Sequence, residues 1–368
     1  MSEDAEKTFN EFEKLGYTDG LPIVPPTEER VNRMLQWTDR KPDDSLGRVP
    51  PSEDEATVQS VAVNAVMAGC KPEWFPVVVT EISALLSQPN LRGAVATTGH
   101  CWPVAIANGP IAKEIGLYSG WGALGTGPNH RANLTIGRTM TLIIQNIGKS
   151  IPGISEKKPV LNIGRYGVCF AENEAESPWE PLHVERGFEK DASTITVLGE
   201  GGRFEQISTG RRSGTLSIDI ARFAKTVNNH YNVPFSNQVR ENADTILVFT
   251  PGQADTFAGN GWTKSDIKNF LYESCRSKPV SEWYSNYPKD IKEDILRTTF
   301  VYTPLWKRDL ETFPLFPSPE SILIVVAGGN PSRIAINMAS SHGCDPAITK
   351  AVTLADGTPA KSVYDFKR

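Results

Sequence analysis

Three continuous β-branched runs, Thr194-Ile195-Thr196-Val197-Leu198, Thr245-Ile246-Leu247-Val248-Phe249 and Ile322-Leu323-Ile324-Val325-Val326, predict an α/β fold with parallel or mixed sheets. Continuous β-branched runs of this kind suit strands covered on both faces, and two of these lead into helical patterns. A chain of 368 residues is too long for one small core. It is long enough for two compact domains or for one large α/β unit with insertions, and the expected architecture is two α/β lobes, each a sheet flanked by helices, with an extended N-terminal arm. The expected division is an arm and helices over 1–50, a first lobe over 51–188 and a second over 189–368, with the boundary near 185–192.

The elements follow in order. Residues 8–15 read as a short helix that Thr18-Asp19-Gly20 breaks. The prolines in Leu21-Pro22-Ile23-Val24-Pro25-Pro26-Thr27 hold their predecessors extended, so this stretch reads as an arm laid over a domain. Thr27 is expected to cap a helix whose first turn holds Glu28 and Glu29, where negative charge suits the dipole. Ser52-x-x-Glu55 has the form of a capping box, and Val58, Val61, Ala62, Ala65, Val66 and Ala68 make a helical apolar face that stops at Gly69. Pro72 and Pro76 close a turn before a helix through Val77, Val78, Ile82, Leu85 and Leu86. Ala94-Val95-Ala96-Thr97-Thr98 and Val104-Ala105-Ile106-Ala107 predict short buried strands. Leu134, Ile136, Leu142 and Ile143 mark an amphipathic helix. Farther on, Thr263-Lys264-Ser265-Asp266 starts a helix with Ile267, Phe270 and Leu271 on one face, and Ala327-Gly328-Gly329-Asn330-Pro331-Ser332 is a glycine turn opening a helix from Ile334 to Ala339. No internal repeat is visible in the residues.

A net charge of −5, with 22% charged and 39% hydrophobic residues, is that of an ordinary globular chain without a basic field for nucleic acid. The acidic start, Met1-Ser2-Glu3-Asp4, does not read as a secretory signal, and no segment approaches a membrane span, so a cytoplasmic location is expected. Cys70, Cys101, Cys169, Cys275 and Cys344 are odd in number, widely spread and without a Cys-x-x-Cys pair, which predicts free thiols.

The run from Arg165 to His183 sets Cys169, Glu172, Glu174, Glu176, Trp179, Glu180 and His183 within nineteen residues. Solubility alone does not require the thiol or the indole, and packing alone does not require four carboxylates. Cys169 is the first candidate nucleophile or redox thiol, with Glu172 and Glu174 as acid and base and His183 close in sequence. Cys70 is the second, because Lys71 beside it favours thiolate, although its place after a helix end opposes that. His100 and Cys101 are adjacent on an extended chain and so point to opposite faces, Cys275 reads as core, and Cys344 sits in a late turn. Glu180 and His183, three apart, could join Glu172 or Glu174 around a divalent metal, but Pro181 interrupts the helix this needs; no cofactor is the other expectation. Ser177 could cap a short helix with Pro178 as its first residue. The glycine-dense Gly120 to Asn133 loop could hold an anion with help from Arg131 and Arg138.

Five blocks stand out: Thr18-Asp19-Gly20-Leu21-Pro22-Ile23-Val24-Pro25-Pro26-Thr27-x-x-Arg30-Val31, Met67-Ala68-Gly69-Cys70-Lys71-Pro72-Glu73-x-Phe75-Pro76, Asn108-Gly109-Pro110-Ile111-Ala112, Arg131-Ala132-Asn133-x-Thr135-Ile136-Gly137-Arg138, and Cys169-Phe170-Ala171-Glu172-Asn173-Glu174 through Ser177-Pro178-Trp179-Glu180-Pro181-Leu182-His183. Together they resemble a broad microbial family associated with the selenoprotein-related UGSC group. The resemblance implies a thiol-related small-molecule enzyme. Within these blocks Asn108, Asn133 and Trp179 join Arg131 and Arg138 as candidate substrate-binding residues. The chain departs from the family in having no Cys-Gly-Ser-Cys tetrad, and in carrying Thr250-Pro251-Gly252-Gln253-Ala254 where relatives show Gly-Pro-Glu-His-Ala. Three functions are thus expected in turn: a thiol enzyme on a small anionic substrate in a cleft between the lobes, a metal-dependent lyase or hydrolase, and a non-catalytic binding or assembly subunit. The expected partners are the substrate and either a second copy of the chain or a companion thiol protein, with neither nucleic acid nor membrane.

Overall fold

The computed structural model describes residues 3–98, 102–158, 163–199, 203–208, 244–276, 312, 314–330, 334–339 and 346–368. His100, Cys101 and Cys344 lie outside the described residues. The chain is α/β. Helix α1 (Glu3–Lys14) leads into the proline-rich arm, and α2 (Glu28–Leu35) begins where Thr27 accepts from the Arg30 N–H. Strands β1 (Ser45–Val49) and β2 (Asp54–Thr57) form a small antiparallel ladder. The capping box before α3 (Val58–Ala68) is Thr57 with Ser60, not Ser52 with Glu55; Ser52 Oγ instead donates to the Ile147 carbonyl. Gly69 ends α3 in the left-handed region at φ 93°, where a side chain would be strained.

Helix α4 (Phe75–Leu85) follows, and then α5 (Leu91–Val95), which takes the place of the expected strand at Ala94 to Thr98. Alanine favours helix, and the Val95 carbonyl accepts from Ser150 Oγ instead of a neighbouring strand. Strand β3 (Val104–Asn108), α6 (Pro110–Glu114), α7 (Arg131–Asn146), β4 (Val168–Ala171), α8 (Leu182–Glu185) and β5 (Thr194–Leu198) complete a first unit. Strands β6 (Arg203–Ser208) and β7 (Thr245–Phe249), helices α9 (Pro251–Ala258) and α10 (Lys264–Ser274), and strands β8 (Ile322–Val326), β9 (Ile334–Ala339) and β10 (Ile348–Ala351) complete the rest. The helix expected over Ile334 to Ala339 is thus a strand, since that segment pairs with β6 on one side and β7 on the other. Tertiary pairing and two β-branched isoleucines override the turn signal before it.

Two four-stranded mixed sheets result, ordered β10-β5-β3-β4 and β6-β9-β7-β8. In each, a central strand pairs in parallel with the next strand and antiparallel with the one after. The hydrogen bond closing the parallel pair also recurs, from Glu172 N to the Ala107 carbonyl (3.0 Å) and from Ala327 N to that of Phe249 (2.9 Å). The fourth strands are exchanged: β6, which follows β5, joins β9, while β10, which follows β9, joins β5. The structure therefore contains a topological repeat that the residues do not display, because the two copies share strand pairing and not sequence.

Val104, Ile106, Phe170 and Leu198 from the first sheet form one buried cluster with Ile246, Val248, Leu323 and Val325 from the second, so the sheets pack face to face. The opposite face of the first sheet, with Ala105, Ala107, Cys169 and Ala171, packs under residues of α3, α4 and α7. That of the second, with Leu247, Phe249 and Ile324, packs under α9 and α10. The layers run helix, sheet, sheet, helix. Each large side chain buried between them contributes about 1.5–3 kcal/mol. β5 and β10 both follow residue 188 yet belong to the first sheet, so the sheets are not divided at the expected boundary. Helix α7 approaches its sheet so closely that a Cβ on Gly167, at φ 89°, would stand 2.3 Å from the Gly137 carbonyl. Among the described residues, no helix is long and apolar enough to cross a membrane.

The exchange makes a prediction. A chain stopped after residue 345 loses β10 and leaves β5 an unpaired edge. We expect loss of a cooperative thermal transition, read by circular dichroism; a melting temperature within a few degrees of the full chain's would contradict it.

Candidate functional site

The parallel pair β3 and β4 ends in Asn108 and Glu172, and the chain between β4 and β5 carries most of the candidates. The Glu172 side chain is buried, accepts three hydrogen bonds and faces one ammonium. Oε2 takes Asn108 Nδ2 at 2.7 Å and the Leu182 N–H at 2.8 Å, while Oε1 takes the Val326 N–H at 3.4 Å and faces Lys264 Nζ at 3.9 Å. One carboxylate thereby joins the ends of β3 and β4, the start of α8, strand β8 and the start of α10. The Asn173 N–H adds a 2.7 Å bond to the Val326 carbonyl. Glu174 Oε1 accepts from Asn108 Nδ2 (3.1 Å) and from the Gly109 N–H (2.7 Å). Gly109 must be glycine, since φ is 88° and a Cβ would stand 2.2 Å from the Ala192 carbonyl oxygen. Asn108, Glu172 and Glu174 are therefore brought together, as one hydrogen-bonded unit.

Cys169 and Cys70 are not part of it. Cys169 faces the apolar layer under the helices, away from the other sheet. Burial, with Glu81 and then Cys70 nearby, pushes its pKa well above the ordinary thiol value. Cys70 lies 3.4 Å from Thr139 Oγ1, and burial pushes it up to about 11. Both are free thiols held neutral near pH 7, the reverse of what nucleophilic attack needs. Cys275, after the end of α10, is buried, as its core reading required. Glu81, on α4 in the same core, has both oxygens without a hydrogen-bond partner, and burial raises its pKa well above the carboxyl range.

The proposed anion clamp is also spent elsewhere. Arg138 makes a bidentate pair with Asp19, at 2.8 and 2.7 Å, and donates to the Pro22 and Leu21 carbonyls, so it pins the arm. Arg131 is exposed, donates to the Gly69 carbonyl and stacks over Trp74. Asn133 ties the glycine loop together through Tyr118 N–H, Tyr118 carbonyl and Ala123 carbonyl. His183 is fully buried with Nε2 3.3 Å from the Lys190 carbonyl. No group of three His, Cys, Asp or Glu side chains able to hold a metal occurs among the described residues, so the set Glu172, Glu174, Glu180 and His183 does not converge. The Ser177-Pro178 stretch is not helical; α8 starts at Leu182, after Pro181.

Concave surface is found on both sides of Trp179 and Glu180. One cavity of about 820 Å³ is lined by Pro110, Lys113, Glu174, Pro178 and Asp191 together with that pair. The other, of about 900 Å³, lies between Trp179 and Glu180, Glu185 at the end of α8 and Arg186 just after it, and Lys264, Ser265, Lys268 and Asn269 of α10. Trp179 is fixed by a 3.1 Å bond from Nε1 to the Trp262 carbonyl and an edge contact with Phe249. Lys264 and Lys268 are only 8% and 7% exposed. Glu185 takes both amines, Lys264 at 3.4 Å and Lys268 in closer contact. Burial lowers the pKa of both, against the pull of Glu172 and Glu180 on Lys264 and of Glu320 on Lys268, which comes down to about 8. Two buried lysines on a cavity wall mark this as the candidate site.

Neither lysine was among the sequence candidates. The signal was present, for Lys264, Ile267, Lys268 and Leu271 occupy the i, i+3, i+4, i+7 stripe that α10 turns inward, and all four are buried. Lysine at two of those positions is out of place in a helix that only packs.

Two outcomes are expected in urea unfolding. Glu172→Gln removes the charge facing Lys264 and turns a donor toward donors, costing about 3 kcal/mol, where Glu174→Gln costs about 1; equal small losses would contradict the difference. Glu81→Met is stabilising by about 1–3 kcal/mol, because it removes a buried acid without partners. A raised folded pKa gives stability that is complete below the unfolded carboxyl value and is lost as pH rises through the folded value. The parent's stability should therefore fall with rising pH above the ordinary carboxyl range, and the variant's fall should be smaller. No protein-family model and no curated relative matches the chain, so the reading of this site rests on its residues.

Proposed function

We propose that the protein is an enzyme acting on a small, carboxylate-bearing organic substrate in the cavity between α8, α10 and Trp179. The observation that carries this reading is the pair of buried amines, Lys264 and Lys268, on one wall of a 900 Å³ hollow. Ser265, Asn269 and Arg186 add donors to the lining, which suits a ligand rich in acceptors, and Trp179 offers an apolar face. Glu180 and Glu185 line the same cavity and serve as proton carriers. The reading keeps the small anionic substrate expected from the sequence, moves the acid and base from Glu172 and Glu174 to Glu180 and Glu185, and replaces the thiol by lysine.

Glu172 is a positioning residue in this reading. Its side chain holds Lys264 from behind while its other contacts fix β3, α8 and β8. A cytoplasmic location belongs to the same proposal and is supported by the free thiols Cys70 and Cys169. So does kinship with the UGSC-associated proteins, which rests on the sequence blocks alone, and a second copy of the chain or a companion thiol protein as partner.

The test is thermal stabilisation by a panel of small mono- and dicarboxylates. A carboxylate that raises the parent's melting temperature should bind Lys264→Met at least about 10-fold more weakly, which is about 1.4 kcal/mol. Cys169→Ser should bind it as the parent does. Stabilisation that survives Lys264→Met and disappears in Cys169→Ser would overturn the assignment of the cavity.

A further inference from the structure

We propose that Lys268 is a nucleophilic amine that forms an imine with a small oxo-acid, a ligand carrying a carbonyl and a carboxylate together. The proposal rests on the preceding assignment of the cavity and adds its reaction chemistry. Three observations carry it. Lys268 Nζ lies against a cavity large enough for a small organic acid, on the inward stripe of a helix where water is largely excluded. A carboxylate, Glu185, touches it and reaches Lys264 as well, so a proton acceptor is in place at the amine. Lys264 stands one helical turn away, where an ammonium can meet a substrate carboxylate while the neighbouring carbon faces Lys268.

Burial supports the same chemistry from the side of the free amine. With a pKa of about 8, Lys268 at pH 8 is neutral in a fraction about 100-fold larger than an exposed lysine shows. The charged groups around it are Lys264 on its own helix, Glu185 at the end of α8 and Arg186 just after it, Glu180 from the segment before α8, and Glu320 before β8. A neutral primary amine needs no activated leaving group to bond to a carbonyl carbon.

The step balances without a further reagent. Glu185 takes a proton from the Lys268 ammonium, the amine lone pair forms the C–N bond, and the proton that the nitrogen then sheds passes to the former carbonyl oxygen. The carbinolamine then loses that oxygen as water, accepting the proton held by Glu185, and the nitrogen lone pair closes the C=N bond. One carbonyl compound and one lysine ammonium give one protonated imine and one water, with no change of oxidation state.

Borohydride trapping tests this on the intact protein, with pyruvate as the probe at pH 8. The expected result is a single reduced pyruvate adduct in the peptide containing Lys268, formed at least about 10-fold faster than at the exposed Lys361 and absent from a folded Lys268→Met protein. Peptide mapping of the parent gives the answer even if that variant does not fold. Labelling spread evenly over exposed lysines, or no adduct at all, overturns the imine. Should pyruvate raise the melting temperature without a trappable adduct, the imine fails and the cavity assignment stands; when the carboxylate panel also leaves the melting temperature unmoved, both fail.

Discussion

The buried Glu172 carboxylate is the contact on which the arrangement depends. It stands where β4 leaves the first sheet, and its partners come from β3, from α8, from strand β8 of the second sheet and from the first turn of α10. An ionised carboxylate can be kept out of water only when its lone pairs are met, and here three N–H donors and an ammonium meet them. The position of Lys264, and through it the wall of the cavity, is fixed by the same group that fastens one sheet to the other.

That fastening explains why the long connection of the first unit differs from its counterpart. After β8 the chain turns through Ala327, Gly328 and Gly329 toward β9, and the Gly328 N–H donates to the Ser119 carbonyl. After β4 it travels from Glu172 to Ser193 before β5, and this insertion supplies Asn173, Glu174, Trp179, Glu180 and α8 to the joint and to both cavities. The strand exchange keeps the two sheets inseparable in chain order, so the cavity lies beside a joint that cannot open without disturbing both. Such a rigid frame suits a site whose buried amines must hold their geometry.

Much of this was legible in the residues. The three β-branched runs are strands β5, β7 and β8, and the Thr27 and Gly69 signals mark real helix ends, because those features act locally. What failed was decided by distant partners: Ile334 to Ala339 is a strand because β6 and β7 flank it, and Ala94-Val95 is helical in a layer that offers it no strand to pair with. The run from Arg165 to His183 points to a thiol beside its acid and base, whereas the structure joins Glu172 and Glu174 to Asn108 and leaves the thiol apart. Cys169 alternates on β4 toward the helices while Glu172 lies just past the strand end, so neighbours in sequence were separated by the pleat. Arg138 read as a clamp for substrate and proves to clamp the arm, since Asp19 sits far away in sequence.

Hydrogen–deuterium exchange, followed by mass spectrometry at the peptides containing Leu182 and Val326, tests the central joint most directly, because both amides donate to Glu172. The account predicts that they exchange only through global unfolding, as slowly as the amides of the central strands. Exchange at the pace of the surface loops, with the central strands still protected, would contradict it.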